Sequence, residues 1–497
     1  MKSIKNIAVI GGGTAGFISA LILKKRFPHL QIDLIHSKKI GIVGVGEGST
    51  QHWLEFMNFM GIDHHTIITE CDATYKSGIM FKDWVQNDYL HSVNTPWCYQ
   101  ASQYSHIYAR QISKNLSSKE MSSGRFWRNK VNTKYLHTSK ESPVEQYHFN
   151  TYKLNNFLNK LSIQNQINII DDEIIDVKIK EDGDIGIISG VKQNYEYDFY
   201  IDCTGFKRLL ISKLGAKWKS FGKHLKMKAA IAFPTEDTDE YNMWTLAKAM
   251  DYGWLFRIPV WGRGGNGYIY DSDYISSEQA KIEVESYFGK EIDIGKEFKF
   301  DPGTLEQAWI NNCCAIGLSA NFVEPMEATS IATTIQQSFL LMHRIINYDN
   351  KTIDRYNKSV MDIMENIRDF IALHYIVDKK SSEFWKNPAE IPDSLLNNLE
   401  LWEHRMPIKE DFSHLSDFIL FTVPNFILVM HGLNLFNVDS IKSEYEQQAS
   451  YIKEDADWQI NYQKYIMKTT EEMSHKNLLQ LIRETSKINS QMDIING

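Results

Sequence analysis

The chain has 497 residues, of which 43% are hydrophobic, 12% aromatic and 23% charged. This composition supplies a packed interior and excludes a disordered chain, and the length predicts two or three structural units or one large α/β enzyme. The formal net charge is −8, and the sequence has no Lys/Arg stripe. These features exclude the basic surface that binds nucleic acid and favour small-molecule partners.

Three further features bound the class of protein. The five cysteines form no CxxC pair, which argues against zinc and fits a reducing cytoplasm. The N-terminus enters a strand directly, without a signal-peptide cleavage site. The most apolar run, FILFTVPNFILVM, is short and contains Pro424, so we predict a buried helix and turn, and no membrane segment.

The first 37 residues predict a strand, a glycine turn, a helix and a second strand. The strand covers residues 4–10, the helix contains FISALILKKRF, and QIDLIHS follows, which together make a βαβ unit of the doubly wound type. The turn matches GxGxxG through Gly11, Gly13 and Gly16, and in this context it predicts dinucleotide binding at the helix start formed by Thr14 and Ala15. Glycine turns also occur in βα units that bind no nucleotide.

The second strand lacks the acidic residue that usually binds a ribose hydroxyl. His36 stands near that position. Its ring either hydrogen-bonds a ribose hydroxyl or only caps the end of the strand with a local hydrogen bond.

The middle of the chain changes to short strands. INIIDD, EIIDVKIK, DIGIISG and YEYDFYIDCTG lie between residues 168 and 205 and predict a β-meander that returns to the parallel sheet at Asp198–Cys203. Beyond Thr333 the pattern is mainly helical.

Several segments, in order along most of the chain, resemble the flavin-dependent tryptophan-halogenase family. They are GVGEGST at Gly44–Thr50, ECDATYKSGIMF around Lys76, DCTGF at Asp202–Phe206, NCCAIGLSANFVEPMEATSIA at Asn312–Ala332 and RDFIALHY ending at Tyr375.

The resemblance implies a Rossmann-like, doubly wound FAD-binding α/β fold with a β-meander, substrate-binding insertions and a helical C-terminal region. We predict a core over residues 1–345 with insertions at about 85–150 and 216–295, followed by mainly helical residues 346–497. The FAD-binding set it implies is Gly11, Gly13, Thr14, Ala15, Gly16, His36, Gly44, Gly46, Glu47, Gly317, Leu318 and Ile331.

The same resemblance implies the reaction. Reduced flavin captures dioxygen, the flavin hydroperoxide oxidises chloride, bromide or iodide to hypohalous acid, and the acid travels through an internal tunnel to the substrate. No second GxGxxG suited to a nicotinamide cofactor is evident, so we predict that a separate NAD(P)H flavin reductase supplies FADH2.

By motif position, Lys76 and Glu327 are the catalytic residues. Lys76 has apolar neighbours, so we predict an inward side chain whose pKa is depressed by lost hydration. It would act either as a haloamine or as a hydrogen-bond donor to hypohalous acid. Glu327 would take the ring proton or stabilise the cationic intermediate, while the backbone amides of Thr329 and Ser330 match the halide position. We assign a structural role to Glu324.

GWLFRIP occupies the place of the family's WxWxIP segment, with Phe256 where the second Trp is expected. The resemblance implies that Trp254, Phe256 and Pro259 form a substrate-side wall that blocks direct monooxygenase chemistry. Aromatic residues at this alternating spacing are more commonly part of a core.

Three other functions fit parts of this sequence. A flavin monooxygenase would hydroxylate the aromatic substrate directly, but such enzymes usually carry Gly-Asp where Gly317 is followed by Leu318. A geranylgeranyl-reductase-like flavoprotein and an inactive FAD-binding scaffold are the others.

Indoles, pyrroles and phenols all remain as substrates, free or carrier-bound. The C-terminal helices are candidates for a subunit interface.

Overall fold

The computed structural model describes residues 4–42, 47–93, 104–121, 128–133, 146–469 and 471–496. Two predicted FAD residues, Gly44 and Gly46, and part of the insertion at about 85–150 lie outside these ranges. For Glu47 only the backbone is described.

The described strands are β1 Asn6–Ile10, β2 Gln31–His36, β3 Glu47–Gly48, β4 Thr74–Lys76, β5 Gly78–Lys82, β6 Tyr89–Ser92, β7 Lys130–Asn132, β8 Gln146–Phe149, β9 Asn168–Asp171, β10 Ile174–Ile179, β11 Ile185–Gly190, β12 Asn194–Glu196, β13 Phe199–Asp202, β14 Trp218–Ser220, β15 Ala229–Glu236, β16 Trp244–Ala249, β17 Gly253–Val260, β18 Arg263–Tyr270, β19 Lys296–Lys299, β20 Gly303–Leu305, β21 Trp309–Ile310, β22 Cys313–Ala315, β23 Asn321–Phe322 and β24 Glu472–Ser474.

The described helices are α1 Thr14–Arg26, α2 His52–Met60, α3 His64–Glu70, α4 Tyr104–Ser113, α5 Ser118–Met121, α6 Thr151–Gln164, α7 Ser277–Phe288, α8 Thr329–Arg344, α9 Asn350–His374, α10 Glu383–Lys386, α11 Asp393–Trp402, α12 Val423–Gly432, α13 Val438–Gln447, α14 Ser450–Thr469 and α15 His475–Asn496.

The first sheet has the order β21-β22-β13-β1-β2-β9. All its pairs are parallel except β21 with β22, and helix α1 connects β1 to β2. The inner strands are buried on both faces, which is why their sequences read as continuous apolar runs. This confirms the predicted doubly wound α/β architecture.

One strand assignment was wrong. INIIDD was placed in the meander, but its strand β9 pairs in parallel with β2. Helix α6 precedes β9 and provides the crossover that a parallel connection requires. The meander itself consists of β10, β11 and β12 in antiparallel order, and the chain then enters the parallel sheet at β13 as predicted.

A second sheet of seven strands has the order β19-β15-β18-β17-β16-β5-β6. It is antiparallel except between β16 and β5. It places the GWLFRIP segment on β17, in the interior of the sheet, and the start of the predicted insertion on β6 at the edge.

Beyond β23 the described chain is almost entirely helical, as predicted. The second part of the FILFTVPNFILVM run lies in helix α12, which has Pro424 in its first turn and a largely buried surface, and the first part is the turn before it. No helix within the described ranges is long and apolar enough to cross a membrane. One hydrophobic cluster runs from Ile4 to Ile482, and the domain limits given above stay a prediction.

Candidate active site

The glycine turn after β1 brings three backbone segments together. Gly11 has φ +122°, and a Cβ there would lie 2.2 Å from the Cys203 carbonyl oxygen. A Cβ on Gly16 would lie 1.9 Å from the Gly11 oxygen, so only glycine permits this approach of helix and strand. Gly13, in contrast, faces open space and precedes α1 without a side-chain cap. The unpaired N–H groups of Thr14 and the next residues therefore suit a phosphate.

The two glycine segments predicted to bind FAD meet in the fold. Gly317 has φ +68°, and a Cβ there would lie 2.7 Å from the Cβ of Ala15. Leu318 and Ile331 line the adjoining cavity. The close backbone cradle around the helix start fits a dinucleotide such as FAD.

His36 packs beside this turn at the end of β2. A Cβ on Gly12 would come within 2.4 Å of its ring, and Phe17 contacts the ring edge-on. Burial lowers the pKa of His36, although Asp171 opposes this effect. The ring is therefore placed where a ribose-binding acid is usual, and its contact with ribose stays a prediction.

A mainly apolar cavity lies between the second sheet and the start of α8. A concave apolar site with a few polar groups is the usual form of an organic-ligand pocket. Lys76, Glu327, Trp254 and Phe256 line it together with Ser330. Lys76 and Glu327 thus line the same cavity, although they are 251 positions apart in the sequence.

Lys76 points inward from β4, as its apolar neighbours predicted. It is 1% exposed, and its Nζ donates a hydrogen bond to the Ser49 carbonyl oxygen at 2.8 Å. Burial lowers its pKa to about 8, while the charge of Glu327 acts in the opposite direction. The side chain therefore changes between ammonium and amine close to neutral pH.

Glu327 occupies a strained turn. Its φ is +64° and that of Ala328 is +55°. Residues other than glycine rarely adopt this left-handed conformation, and when they do they are often found at active sites. His91 Nδ1 lies 2.8 Å from each carboxylate oxygen, and His374 Nε2 lies 3.2 Å from Oε1. Burial alone would raise the pKa of Glu327, but these two histidines lower it to about 2.

The hydrogen-bond network fixes the orientation of His91. The Asn425 Oδ1 accepts from the Thr422 N–H at 2.9 Å, so its Nδ2 is the group that faces His91 Nε2 at 3.3 Å. Because an amide Nδ2 donates, His91 Nε2 accepts and the proton on Nδ1 points to Glu327.

His374 is oriented from the other side. Its Nδ1 donates to the Phe370 carbonyl oxygen at 2.8 Å, since a carbonyl only accepts. Its Nε2 therefore faces Glu327 Oε1 at 3.2 Å and has no hydrogen-bond partner among the described residues.

The predicted halide residues follow Glu327. Thr329 and Ser330 begin α8, whose N-cap Ala328 has no side chain able to accept from the first N–H groups. A Cβ on Gly48 would lie 3.6 Å from Lys76 Nζ and 3.4 Å from the Cβ of Ala328. The small residue at position 48 thus leaves space between the lysine and the helix start.

The GWLFRIP residues divide into two groups. Trp254 and Phe256 line the cavity and are 2% and 8% exposed, so they are both core residues and cavity wall. Pro259 does not line it, and its carbonyl oxygen accepts a hydrogen bond from Thr74 at 2.6 Å. The predicted wall therefore consists of the two aromatic residues.

The sequence reasoning missed the two histidines. His91 lies in the region of about 85–150 that was predicted only as a substrate-binding insertion, and His374 lies in RDFIALHY, which was used only as a matching segment. The one available signal was a histidine within that segment. Their convergence on Glu327 depends on the packing of β6 and α9 around the strained turn.

The fold and site define a flavin-dependent halogenase, and comparisons agree. The tryptophan halogenase family model matches residues 6–444. The 7-chloro-L-tryptophan 6-halogenase KtzR of Kutzneria sp. (strain 744) is 28% identical over 456 residues, which cover 81% of this chain and 86% of that protein. The chain belongs to the tryptophan halogenase family.

Two solved structures share the fold. A tryptophan halogenase from Shewanella frigidimarina NCIMB 400 has a TM-score of 0.86 and 25% identity, with 97% of this chain and 98% of that chain covered. A flavin-dependent halogenase from Xanthomonas campestris has a TM-score of 0.78 and 26% identity, with coverage of 94% and 99%. The direct hydroxylase is not favoured by these relatives.

Proposed function

We propose that this halogenase uses reduced FAD, dioxygen and a halide to halogenate an electron-rich aromatic compound through Lys76 and Glu327. The observation that carries the proposal is the placement of these two buried side chains in one cavity that adjoins the glycine cradle. A buried lysine with a lowered pKa beside an ionised carboxylate is typical of a reactive site.

The cradle formed by Gly11, Gly13, Gly16 and Gly317 would hold FAD, with its phosphates at the start of α1. Bound reduced FAD would supply the oxidising chemistry that converts halide and dioxygen to hypohalous acid. A separate NAD(P)H reductase would provide the reduced flavin. Because the chain's described cysteines are unpaired thiols, we place the protein in the cytoplasm.

Lys76 would receive the hypohalous acid. Among the described residues its Nζ has one hydrogen-bond acceptor, the Ser49 carbonyl oxygen, so further N–H groups or a lone pair would be available to the halogen species. As ammonium it would hold hypohalous acid by a hydrogen bond, and as amine it would form a haloamine with loss of water. The pKa of about 8 makes both forms accessible near neutral pH.

Glu327 would act on the substrate ring. Halogen addition gives a cationic ring carbon that must lose a proton to regain aromaticity, and a nearby carboxylate stabilises the cation and takes the proton. The His91 N–H directed at both oxygens holds the carboxylate in place. The two histidines, which lower the pKa of Glu327 to about 2, would keep the carboxylate ionised between turnovers. Halide would bind at the free N–H groups of Thr329 and Ser330.

For the substrate we propose an indole, with pyrroles and phenols as alternatives. The relative KtzR is named for a reaction on a chlorinated tryptophan, and Trp254 and Phe256 provide flat apolar surfaces against which an aromatic ring packs.

The test is product analysis by mass spectrometry with FAD, a flavin reductase, NADH and bromide. Tryptophan and a panel of indoles, pyrroles and phenols are the substrates, and Lys76→Ala is run in parallel. We expect a brominated product that disappears in the variant. A hydroxylated product from the native chain, or bromination unaffected by Lys76→Ala, would overturn the proposal.

A further inference from the structure

A second buried carboxyl lies three residues before Glu327, in the segment that leads into the strained turn. Glu324 is 0% exposed and does not line the cavity. Its Oε1 accepts two hydrogen bonds, from Trp254 Nε1 at 3.0 Å and from the Tyr375 hydroxyl at 2.5 Å. Its Oε2 has no hydrogen-bond partner among the described residues.

The two donors belong to elements that build the active site. Trp254 lies on β17 and forms part of the cavity wall. Tyr375 directly follows His374, which contacts Glu327 from the end of α9. Glu324 therefore joins the wall strand, the end of α9 and the turn that carries the catalytic carboxylate.

The indole N–H of Trp254 is buried, so its orientation depends on an acceptor. A buried donor without a partner carries a large free-energy penalty and turns toward any other acceptor or toward water. The indole N–H donates to Glu324 Oε1, and the Tyr375 hydroxyl, which donates to the same oxygen, also interacts with the Trp254 side chain. Loss of the carboxyl would remove the acceptor that holds both side chains and would loosen the wall.

We propose that Glu324 is a positioning residue that holds the Trp254 indole at the cavity wall, so that the oxidised halogen species stays enclosed until it reaches Lys76. This inference rests on the proposed function. It goes beyond the structural role assigned to Glu324 from sequence, because it makes the carboxyl responsible for how completely flavin oxidation is converted to product.

Two substitutions at position 324 distinguish the loss of the hydrogen-bond acceptor from the loss of the carboxylate charge. Burial raises the pKa of Glu324 to about 7, although the Tyr375 and Trp254 hydrogen bonds act in the other direction. The uncharged acid is thus well populated at neutral pH, and Glu324→Gln reproduces its shape and keeps the accepting oxygen. Glu324→Leu fills similar space and removes the acceptor.

The matched control is Glu283, a half-buried carboxyl whose pKa is also raised by burial. It accepts hydrogen bonds from the Tyr268 hydroxyl and the Asp251 N–H, both at 2.7 Å. Tyr268 belongs to the separate hydrophobic cluster packed with α7, away from the lining of the cavity. Glu283→Leu therefore loses a comparable hydrogen-bond acceptor without touching Trp254.

The first readout is coupling, measured as halogenated product formed per FADH2 oxidised, with released hypohalous acid and peroxide trapped and quantified. We expect Glu324→Leu to lower the coupling ratio roughly five- to tenfold, the scale set by one unmade buried hydrogen bond. The coupling ratios of Glu324→Gln and Glu283→Leu should stay within about twofold of the ratio for the native chain. Equal coupling in Glu324→Leu and the native chain would overturn the proposal.

The second readout needs neither flavin nor substrate. With ¹⁵N-labelled tryptophan, the Trp254 indole resonance is identified by its absence in Trp254→Phe. We expect this N–H to be protected from solvent exchange in the native chain and Glu324→Gln, and to exchange at least tenfold faster in Glu324→Leu, as for a buried bond that opens locally. Unchanged protection in Glu324→Leu would refute the positioning role even if its activity falls.

The two proposals fail in different ways. If the native chain makes no halogenated product, the proposed function fails, while the indole resonance still reports whether Glu324 positions Trp254. If the native chain halogenates and Glu324→Leu couples equally well, only the present inference fails.

Discussion

Replacing the buried Lys76 with methionine should make the protein more stable while removing its activity. The fall of the lysine pKa from the ordinary 10.5 to about 8 corresponds to roughly 3 kcal/mol against the ammonium form. Methionine has a similar shape and carries no charge to desolvate. Lys76→Met removes this penalty but leaves the Ser49 carbonyl without the Nζ donor. It should therefore raise the free energy of unfolding by about 1–2 kcal/mol at pH 7 and yield no halogenated product.

The sign of the pH dependence follows from the two pKa values. Below pH 8 the lysine is charged in both the folded and the unfolded chain, so the full penalty of burying the charge is present. Between about 8 and 10.5 the folded chain binds fewer protons, and native stability rises with pH. The free energy of unfolding of Lys76→Met relative to the native chain should thus fall by about 2 kcal/mol between pH 7 and pH 9.5.

Urea unfolding of the native chain and Lys76→Met at pH 7 and 9.5 measures both quantities. Lys160→Met is the control, because this side chain is 66% exposed and makes only a surface ion pair with Glu70, a contact worth roughly 0–1 kcal/mol. A stability difference between Lys76→Met and the native chain that does not change between pH 7 and 9.5 would refute the assignment of a desolvated lysine.

Three further predictions concern the same site. His91→Ala should lower kcat roughly 10- to 100-fold, the loss expected for a hydrogen bond to a charged group, with an unchanged FAD Kd by fluorescence titration; an unchanged kcat would refute its role. Gly317→Ala should weaken FAD binding more than about tenfold through strain and contact with the first glycine turn, whereas Gly289→Ala, which has a similar φ of +67° but open surroundings, should leave the Kd within about twofold. The kcat/KM profile should show one ionisation near pH 8 from Lys76 and no acid limb from Glu327 above about pH 4, since its pKa is about 2. A fall of kcat/KM above pH 8 identifies the ammonium as the working form, a rise identifies the amine, and a flat profile contradicts both.

The local pattern of this chain was sufficient for the parallel half of the fold. The apolar β1 segment, the glycine turn and the α1 helix follow rules that act over a few residues, because backbone approach, helix polarity and side-chain period are local properties. The strand β9 shows the limit of that reasoning. Its INIIDD pattern fits any short strand, and only the crossover through α6 decides that it pairs in parallel with β2.

The sequence by itself determined the family and the positions of Lys76 and Glu327, since these are read from ordered motifs along one chain. Tertiary structure alone decided what surrounds them: Ser49 beside the lysine, His91 and His374 against the carboxylate, and Glu324 behind the Trp254 wall. The pKa of each group depends on burial and on charges brought from distant segments. Those contacts join residues separated by up to several hundred positions, a distance over which no periodicity or spacing carries information.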